Sequence, residues 1–194
     1  MQFIYQLEQP KWDTLPILSL DHILWEADCG IRAKAQICRD VSALYVHLSA
    51  AESSIRAEYT ALLSPVHEDS CLEFFFMPEE ENRYMNFEVN PNGCLHIGFG
   101  KSRKERITVV CRDADSLFHL KTAITEDGWE VFYQIPFSFL QLFYPFFRPE
   151  GCLNANFYKC GDKTPEPHFL SWNPVTSSTP DFHRPCDFGK LVFA

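Results

Sequence analysis

Nothing in this 194-residue chain is basic, apolar or repetitive enough to mark it for nucleic acid, a membrane span or a coiled coil. Lys and Arg number 17 against 26 Asp and Glu, a formal charge of -9, whereas binding along a phosphate backbone needs clustered cations. The nearest thing to a basic patch, Lys101 to Arg106, is short, contains Glu105 and reads as a solvated hairpin turn. No run approaches the ~20 apolar residues of a membrane-spanning helix. The opening Met1-Gln-Phe-Ile-Tyr-Gln-Leu-Glu8 has neither the basic start nor the apolar length of an export signal. No repeat, low-complexity tract, heptad, phosphate loop, nucleotide fingerprint or Ser-His-Asp pattern is visible. The eight cysteines (29, 38, 71, 94, 111, 152, 160 and 186) include no C-x-x-C pair and no zinc-ligand spacing. An even count also suits disulfides in an exported protein. Without an export signal the expectation is reduced, mostly buried thiols in a cytoplasmic protein.

What is present is aromatic and alternating. Aromatic residues make up 15% of the chain, 18 of them Phe, which suits an all-β core and its pockets. The length fits one domain, 1–194, able to bury roughly 70% of its unfolded surface. Ile31, Ala33, Ala35 and Ile37 alternate with Arg32, Lys34, Gln36 and Cys38. Leu44, Val46 and Leu48, and then Trp129, Val131, Tyr133 and Ile135, repeat the period of two, each reading as a strand with one buried face. The one helical stretch is short, Ser138 to Tyr144, entered after Pro136 and stopped at Pro145. Phe143 to Phe147 reads as helix-end packing or an interface. Residues 1–28, with Pro10 and Pro16, read as an irregular strap across a sheet. The sum is an all-β fold, an antiparallel β-sandwich with long loops and one short helix.

One hairpin can be read residue by residue. Cys71 to Met77 and Tyr84 to Asn90 are strand-like, separated by Pro78-Glu-Glu-Glu-Asn-Arg83. With Met77 opposite Tyr84, Phe75 faces Asn86 and Glu73 faces Glu88. One side is then Leu72, Phe74, Phe76, Met85, Phe87 and Val89, a wholly apolar core face, since a slip of one residue would mix the sets. The other side holds acids beside rings: Glu73, Phe75, Met77, Tyr84, Asn86 and Glu88. Like charges opposed across a ladder are destabilising, unless a cation sits between them, one takes a proton, or a ligand's hydroxyls bridge them. The segment Cys152 to Lys159 divides in the same way, with Asn154, Asn156 and Tyr158 alternating with Leu153, Ala155 and Phe157. Rings beside Glu, Asn and Tyr suit sugar recognition, which needs apolar faces together with donors and acceptors. A solvated outer face with scattered apolar residues is the other reading.

The last forty residues add aromatic loops to this face: His168-Phe-Leu-Ser-Trp172-Asn-Pro174 and Pro180-Asp-Phe-His-Arg-Pro185. Loops of that composition more often meet a ligand than fill a core. Trp172 offers a ring for stacking, and His183 and Arg184 read either as ligand donors or as loop staples.

These segments resemble the family 9 carbohydrate-binding modules. The resemblance is carried by His67-Glu-Asp-Ser-Cys-Leu-Glu73-Phe-Phe-Phe, Tyr84-Met-Asn-Phe-Glu-Val-Asn90, Gly128-Trp-Glu-Val-Phe-Tyr-Gln-Ile-Pro136, Asn156-Phe-Tyr, Ser171-Trp172-Asn-Pro and Phe188-Gly-Lys-Leu-Val-Phe193, in one order over roughly residues 30–193. It is closest to stand-alone bacterial proteins of this type. It implies a β-sandwich related to DOMON-type domains and a lectin-like role, with a mono- or oligosaccharide as partner. Family members clamp a terminal sugar between two Trp side chains. The resemblance places the second Trp on Trp172 and the strand Glu on Glu73, puts the first Trp near His67 and the strand Gln near Tyr158, and sets Glu88 where the family has Arg. The resulting binding set is Trp172, Glu73, Glu88, Asn156, Tyr158, His67 and Arg184, on one concave surface with His67 at its edge. The resemblance also implies structural calcium. Asp69, Glu79 to Glu81 and Asp162 are suited to a hard cation, but no calcium-loop spacing is present and no cofactor is assigned.

Two rival functions share these residues. Glu73 and Glu88 on neighbouring strands could form the carboxylate pair of a retaining glycoside hydrolase, which stands roughly 5 Å apart. DOMON-type sandwiches that hold haem between Met and His ligands would draw on Met77, Met85, His47 and His96, although Met85 belongs to the expected core.

Overall fold

The computed structural model describes residues 2–194. Its strands, in chain order, are β1 (Gln2–Gln6), β2 (Leu18–Ser19), β3 (His22–Ile23), β4 (Arg32–Arg39), β5 (Ala43–Ala51), β6 (Cys71–Pro78) and β7 (Tyr84–Val89). They continue as β8 (Leu95–Gly100), β9 (Arg106–Val109), β10 (Lys121–Ile124), β11 (Gly128–Pro136), β12 (Cys152–Cys160), β13 (Phe169–Ser171) and β14 (Gly189–Phe193). Two short α-helices, α1 (Ala114–Phe118) and α2 (Phe137–Leu140), and three 3-10 turns, Trp12–Thr14, Val66–Glu68 and Pro185–Asp187, complete the set. The all-β reading holds, with one helix more than the sequence showed. A single turn such as α1 is too short to display a helical period.

The strands run β10-β11-β5-β4-β1-β14-β12-β6-β7-β8-β9, a sheet curled into two facing layers. The hinge between the layers is β1. Its first residues pair in parallel with β14, and Tyr5 and Gln6 pair in parallel with β4. The first 28 residues are therefore more than a strap, because they supply the strand that joins both layers. That role was hidden because Phe3 and Tyr5 are exposed and only Ile4 of β1 is buried, so β1 lacks a full apolar face.

Alternation decides which side of each strand is dry. Leu72, Phe74, Phe76, Met85, Phe87 and Val89 pack together with Val46, Leu48, Trp129, Val131, Tyr133 and Ile135 between the layers. Leu72 pairs with Val89 and Phe74 with Phe87, the register the hairpin pattern requires. Tyr144 and Phe147 join the core, whereas Phe146 is 91% exposed.

The outer face of β6, β7 and β12 is also buried, which alternation alone does not anticipate. Phe75, Tyr84, Tyr158, Cys71 and Cys160 form a second apolar cluster with Val66 and Phe182. Two segments cover it: the N-terminal stretch bearing Leu24 and Trp25, and the loop from Trp172 to Phe188. β3 pairs with β13, which ties the first cover to the sheet, and Leu24 N–H donates to Phe169 O at 2.9 Å. Asn156 ties down the second. Its Oδ1 accepts from Asn173 N–H at 2.8 Å, and its Nδ2 donates to Asn173 O at 2.9 Å.

Candidate functional site

Where the two covers stop short of each other they leave a cavity of about 110 Å³ over the outer face, its mouth open to solvent. It is lined by Trp25, His67, Glu73, Glu88, Arg103, Arg106, Cys160, Asp162, Phe169, Pro180, Asp181, Phe182 and His183.

Its floor is acidic and dry. Glu73 and Glu88 are directly opposed on β6 and β7 and are only 2% and 5% exposed. Burial, and then the neighbouring Glu88 carboxyl, push Glu73 well above the usual carboxylate range. Burial pushes Glu88 up to about 7, against the pull of Arg106 and Arg103. The shift favours the protonated form of Glu73, which relieves the repulsion that the opposed pair would otherwise suffer. A neutral carboxyl both donates and accepts, so the floor offers the two roles that a sugar hydroxyl needs.

One wall is built by what the strands omit. Gly98 and Gly100 on β8 pair with Asn86 and Tyr84, and Arg106 on β9 pairs with Gly100. A Cβ on Gly98 would come within 2.5 Å of Asn86 Oδ1, and one on Gly100 within 2.4 Å of Arg106 Cα. With no side chain in that lane, Arg106 reaches across β8 to Asn86 Oδ1 at 3.3 Å and to Glu88 Oε1 at 3.9 Å. Asn86 Nδ2 donates to the same Glu88 oxygen at 2.8 Å. His183 lies 2.8 Å from the Tyr84 hydroxyl and 3.2 Å from Arg106 Nη1. Burial, then Arg106, lower its pKa to about 3, so the ring is neutral.

The opposite wall is aromatic. Trp25 packs against Phe169 and Phe182 at centroid distances of 5.4 and 5.5 Å, and its Nε1 donates to Ser177 O at 2.8 Å. Its backbone is left-handed, with φ +58°, inside a tight turn closed by Glu26 N–H to Leu24 O. A non-glycine residue held there costs on the order of 1–3 kcal/mol, and such strain gathers at ligand clamps.

Of the sequence-derived set, Glu73, Glu88 and His67 line the cavity, and Trp172, Asn156, Tyr158 and Arg184 do not. Trp172 is half-buried and packs edge-on against Phe157 at 6.0 Å. Asn156 is fully buried beneath the cover loop. Tyr158 stacks on Phe182 at 4.0 Å behind the wall, its hydroxyl donating to Phe182 O. Arg184 pairs with Asp187 at 2.7 Å, a loop staple. The structure brings in Trp25, Arg103, Arg106 and His183 instead. Trp25 sits in an irregular segment with no period to orient it. Arg103 and Arg106 lie in the stretch read as a solvated turn, yet both line the cavity, and the β8–β9 pairing brings Arg106 to 3.9 Å from Glu88.

The acids that suit a hard cation do not converge. Asp69 accepts from Glu58 N–H, Tyr59 N–H and Asn90 Nδ2, Glu79 pairs with Lys190, and Asp162 lies in the cavity. They do not assemble the six to eight oxygens of a calcium site. The Met and His residues that would hold haem are likewise dispersed. Met85 is in the central core, and His47 sits in the opposite layer, stacked on Phe132 and bonded to Glu130.

A family model described as carbohydrate-binding family 9 matches residues 7–193. No curated protein matches the chain. Among solved structures, the fold is similar to that of a candidate carbohydrate-binding protein from Bacteroides uniformis ATCC 8492, with TM-score 0.84 and 27% identity, covering 100% of this chain and 98% of that one. It is also similar to a family 9 carbohydrate-binding module from Caldicellulosiruptor kristjanssonii in complex with cellotriose, with TM-score 0.69 and 16% identity over 99% of this chain and 93% of that one. The module from the same organism in complex with glucose gives TM-score 0.68 and 16% identity over 100% and 96%.

Proposed function

The chain belongs to carbohydrate-binding family 9, and from that premise we propose that it binds a mono- or oligosaccharide, without catalysis, in the cavity beneath Trp25. The carrying observation is the pairing of a strained, half-buried Trp and two Phe rings on one wall with carboxyl, guanidinium and imidazole groups on the floor and the other wall. A pyranose has an apolar C–H face and an equatorial belt of hydroxyls, and this cavity offers a counterpart to each. Trp25, Phe169 and Phe182 take the ring face. Glu73 and Glu88 read hydroxyl positions, Arg106 donates, and neutral His183 completes the belt.

Affinity is expected to be weak. His67, rather than a second indole, lines the cavity with Trp25, so stacking area is lost while the cost of immobilising the ligand remains several kcal/mol. Glucose and cellotriose, found in the similar modules, are the first probes.

The test is isothermal titration with those sugars, backed by a glycan array, on wild type, Trp25→Ala and Glu88→Gln. Both variants should bind at least about tenfold more weakly, or ~1.4 kcal/mol. Unchanged affinity in Trp25→Ala would remove the cavity from the reading. A parallel reducing-sugar assay covers hydrolysis, for turnover abolished by Glu73→Gln would assign catalysis to the same carboxyl pair.

A further inference from the structure

We propose that Cys71, Cys160 and Glu73 form a binding site for a soft divalent cation of the zinc class at the floor of the cavity. Cys71 and Cys160 lie 89 positions apart in sequence, yet they are directly opposed on β6 and β12. Glu73 is two residues along β6 and so shares their face. The two sulfurs and a Glu73 oxygen all lie within 4.8 Å of one another, the one such group of three or more His, Cys, Asp or Glu donors among the described residues. Bonds of about 2.0–2.3 Å to oxygen and sulfur put the donors of a tetrahedral zinc roughly 3.3–3.8 Å apart. Cys160 Sγ already stands 3.0 Å from Glu73 Oε1. Modest rotations of three side chains would close the site.

Three further observations point to a ligand there. Both cysteines are free thiols, buried to 0% and 2% exposure. Glu73 is buried with no nitrogen donor within hydrogen-bond reach, and a thiol is its hydrogen-bonding partner. A buried carboxyl placed so demands a proton or a cation. Finally, Glu73 and Cys160 line the cavity, so an ion has a way in.

Two thiolates select zinc-like over calcium-like ions. Three protein ligands leave a fourth position open, as in sites where zinc meets an exogenous ligand. That position faces the cavity. The thiol protons leave to solvent as the ion enters.

The inference does not depend on sugar binding, and its test is separate. The full chain, reduced with a phosphine and freed of metal, is titrated with Co²⁺ alone. A thiolate-to-cobalt charge-transfer band saturating at one ion per chain is expected, with displacement by Zn²⁺. Cys160→Ser and Cys71→Ser should each abolish the band, and Cys186→Ser, at an exposed thiol, should keep it. Zn²⁺ should raise the melting temperature of wild type but not of Cys160→Ala, which supplies a second reading if a serine variant folds poorly. Trp25→Ala should bind metal as wild type does, so loss of sugar binding there leaves this inference standing. No band in wild type, a band retained in Cys160→Ser, or a Cys71–Cys160 disulfide that survives the reductant would each overturn it.

Discussion

Two tryptophans make the clearest contrast at the scale of single residues. Trp25 and Trp172 both lie in irregular segments and both are half-buried, but they are held in different ways. Trp172 packs on Phe157, and Gly189 must lack a side chain to admit it, because a Cβ there would fall 2.9 Å from the indole. Its ring braces β12 against β14. Trp172→Ala is therefore expected to cost roughly 3 kcal/mol, the lower end for a large aromatic in a core. It should leave the sugar affinity of the folded protein unchanged, with denaturant melts and titration as the paired measurements. Trp25→Ala should give the reverse, a small change in stability and a large one in affinity. Loss of binding in folded Trp172→Ala would move the site to the other end of the cover loop. At this scale the sequence was partly legible. The opposition of Glu73 and Glu88 follows from alternation and a turn, since both are short-range constraints. The identity of the stacking ring does not, because nothing local orients an indole in a segment without a period.

At the scale of elements, the loop from Trp172 to Phe188 is held as one piece by buried polar contacts. Asn156 satisfies both backbone groups of Asn173, and Asp187 accepts from Thr176 N–H at 3.0 Å and from Arg184 Nε at 2.7 Å. Asn156→Ala would strand the Asn173 amide, a loss of about 1–3 kcal/mol, whereas Asn173 O keeps the Ser171 hydroxyl at 2.8 Å. The loop carries Phe182 and His183, so the variant should bind sugar less tightly although Asn156 does not line the cavity. Hydrogen exchange would check this, with faster exchange expected across residues 172–188 and unchanged protection in β5 and β11. Equal protection throughout would show that the loop is held by its apolar contacts alone. β5 and β11 were readable from alternation because each has one dry and one wetter face, and the β6–β7 hairpin because one of its two buried faces is wholly apolar. The outer face of β6, β7 and β12 was misleading. Acids beside rings describe an exposed ligand surface or a covered pocket equally well, and the cover comes from irregular segments outside these strands. The hinge role of β1 is a pairing fact, and a five-residue strand with one buried residue carries no sign of it.

At the scale of the whole molecule, the two layers are pinned by a buried polar cluster at one end of the core. Lys159 of β12 is fully buried. Its Nζ lies 3.1 Å from Glu52 Oε2, donates to Cys160 O at 2.9 Å, and meets His168 Nε2 at 2.6 Å. Glu52 follows β5 and also accepts from Trp129 Nε1 of β11, so the cluster ties one layer to the other. Lys159→Met would leave a buried carboxylate unpaired, at a cost of about 3–5 kcal/mol. Adding Glu52→Gln keeps the acceptor for Trp129 and should restore most of that loss in a denaturant melt. His168 gives the cluster a pH dependence of definite sign. Burial, and then Lys159, lower its pKa from 6.5 to about 4, and Nδ1 bonded to Glu166 O at 2.8 Å leaves Nε2 free to accept from Lys159. Between pH 6.5 and 4 the unfolded chain takes up a proton that the folded imidazole refuses. The stability it contributes is complete above pH 6.5 and is lost as the pH falls toward 4. The raised carboxyl of Glu88 runs the other way, its contribution being present below pH 4.5 and lost as the pH rises through about 7, and Glu73 is shifted in the same direction. Wild type alone would blur the two, so the measurement is a difference. His168→Gln, which cannot titrate, should be less stable than wild type at pH 7 and should close the gap by up to about 2 kcal/mol at pH 4.5. A gap that stays constant between those two pH values would mean that His168 takes up its proton inside the folded cluster, and that Glu52, not Lys159, sets its charge.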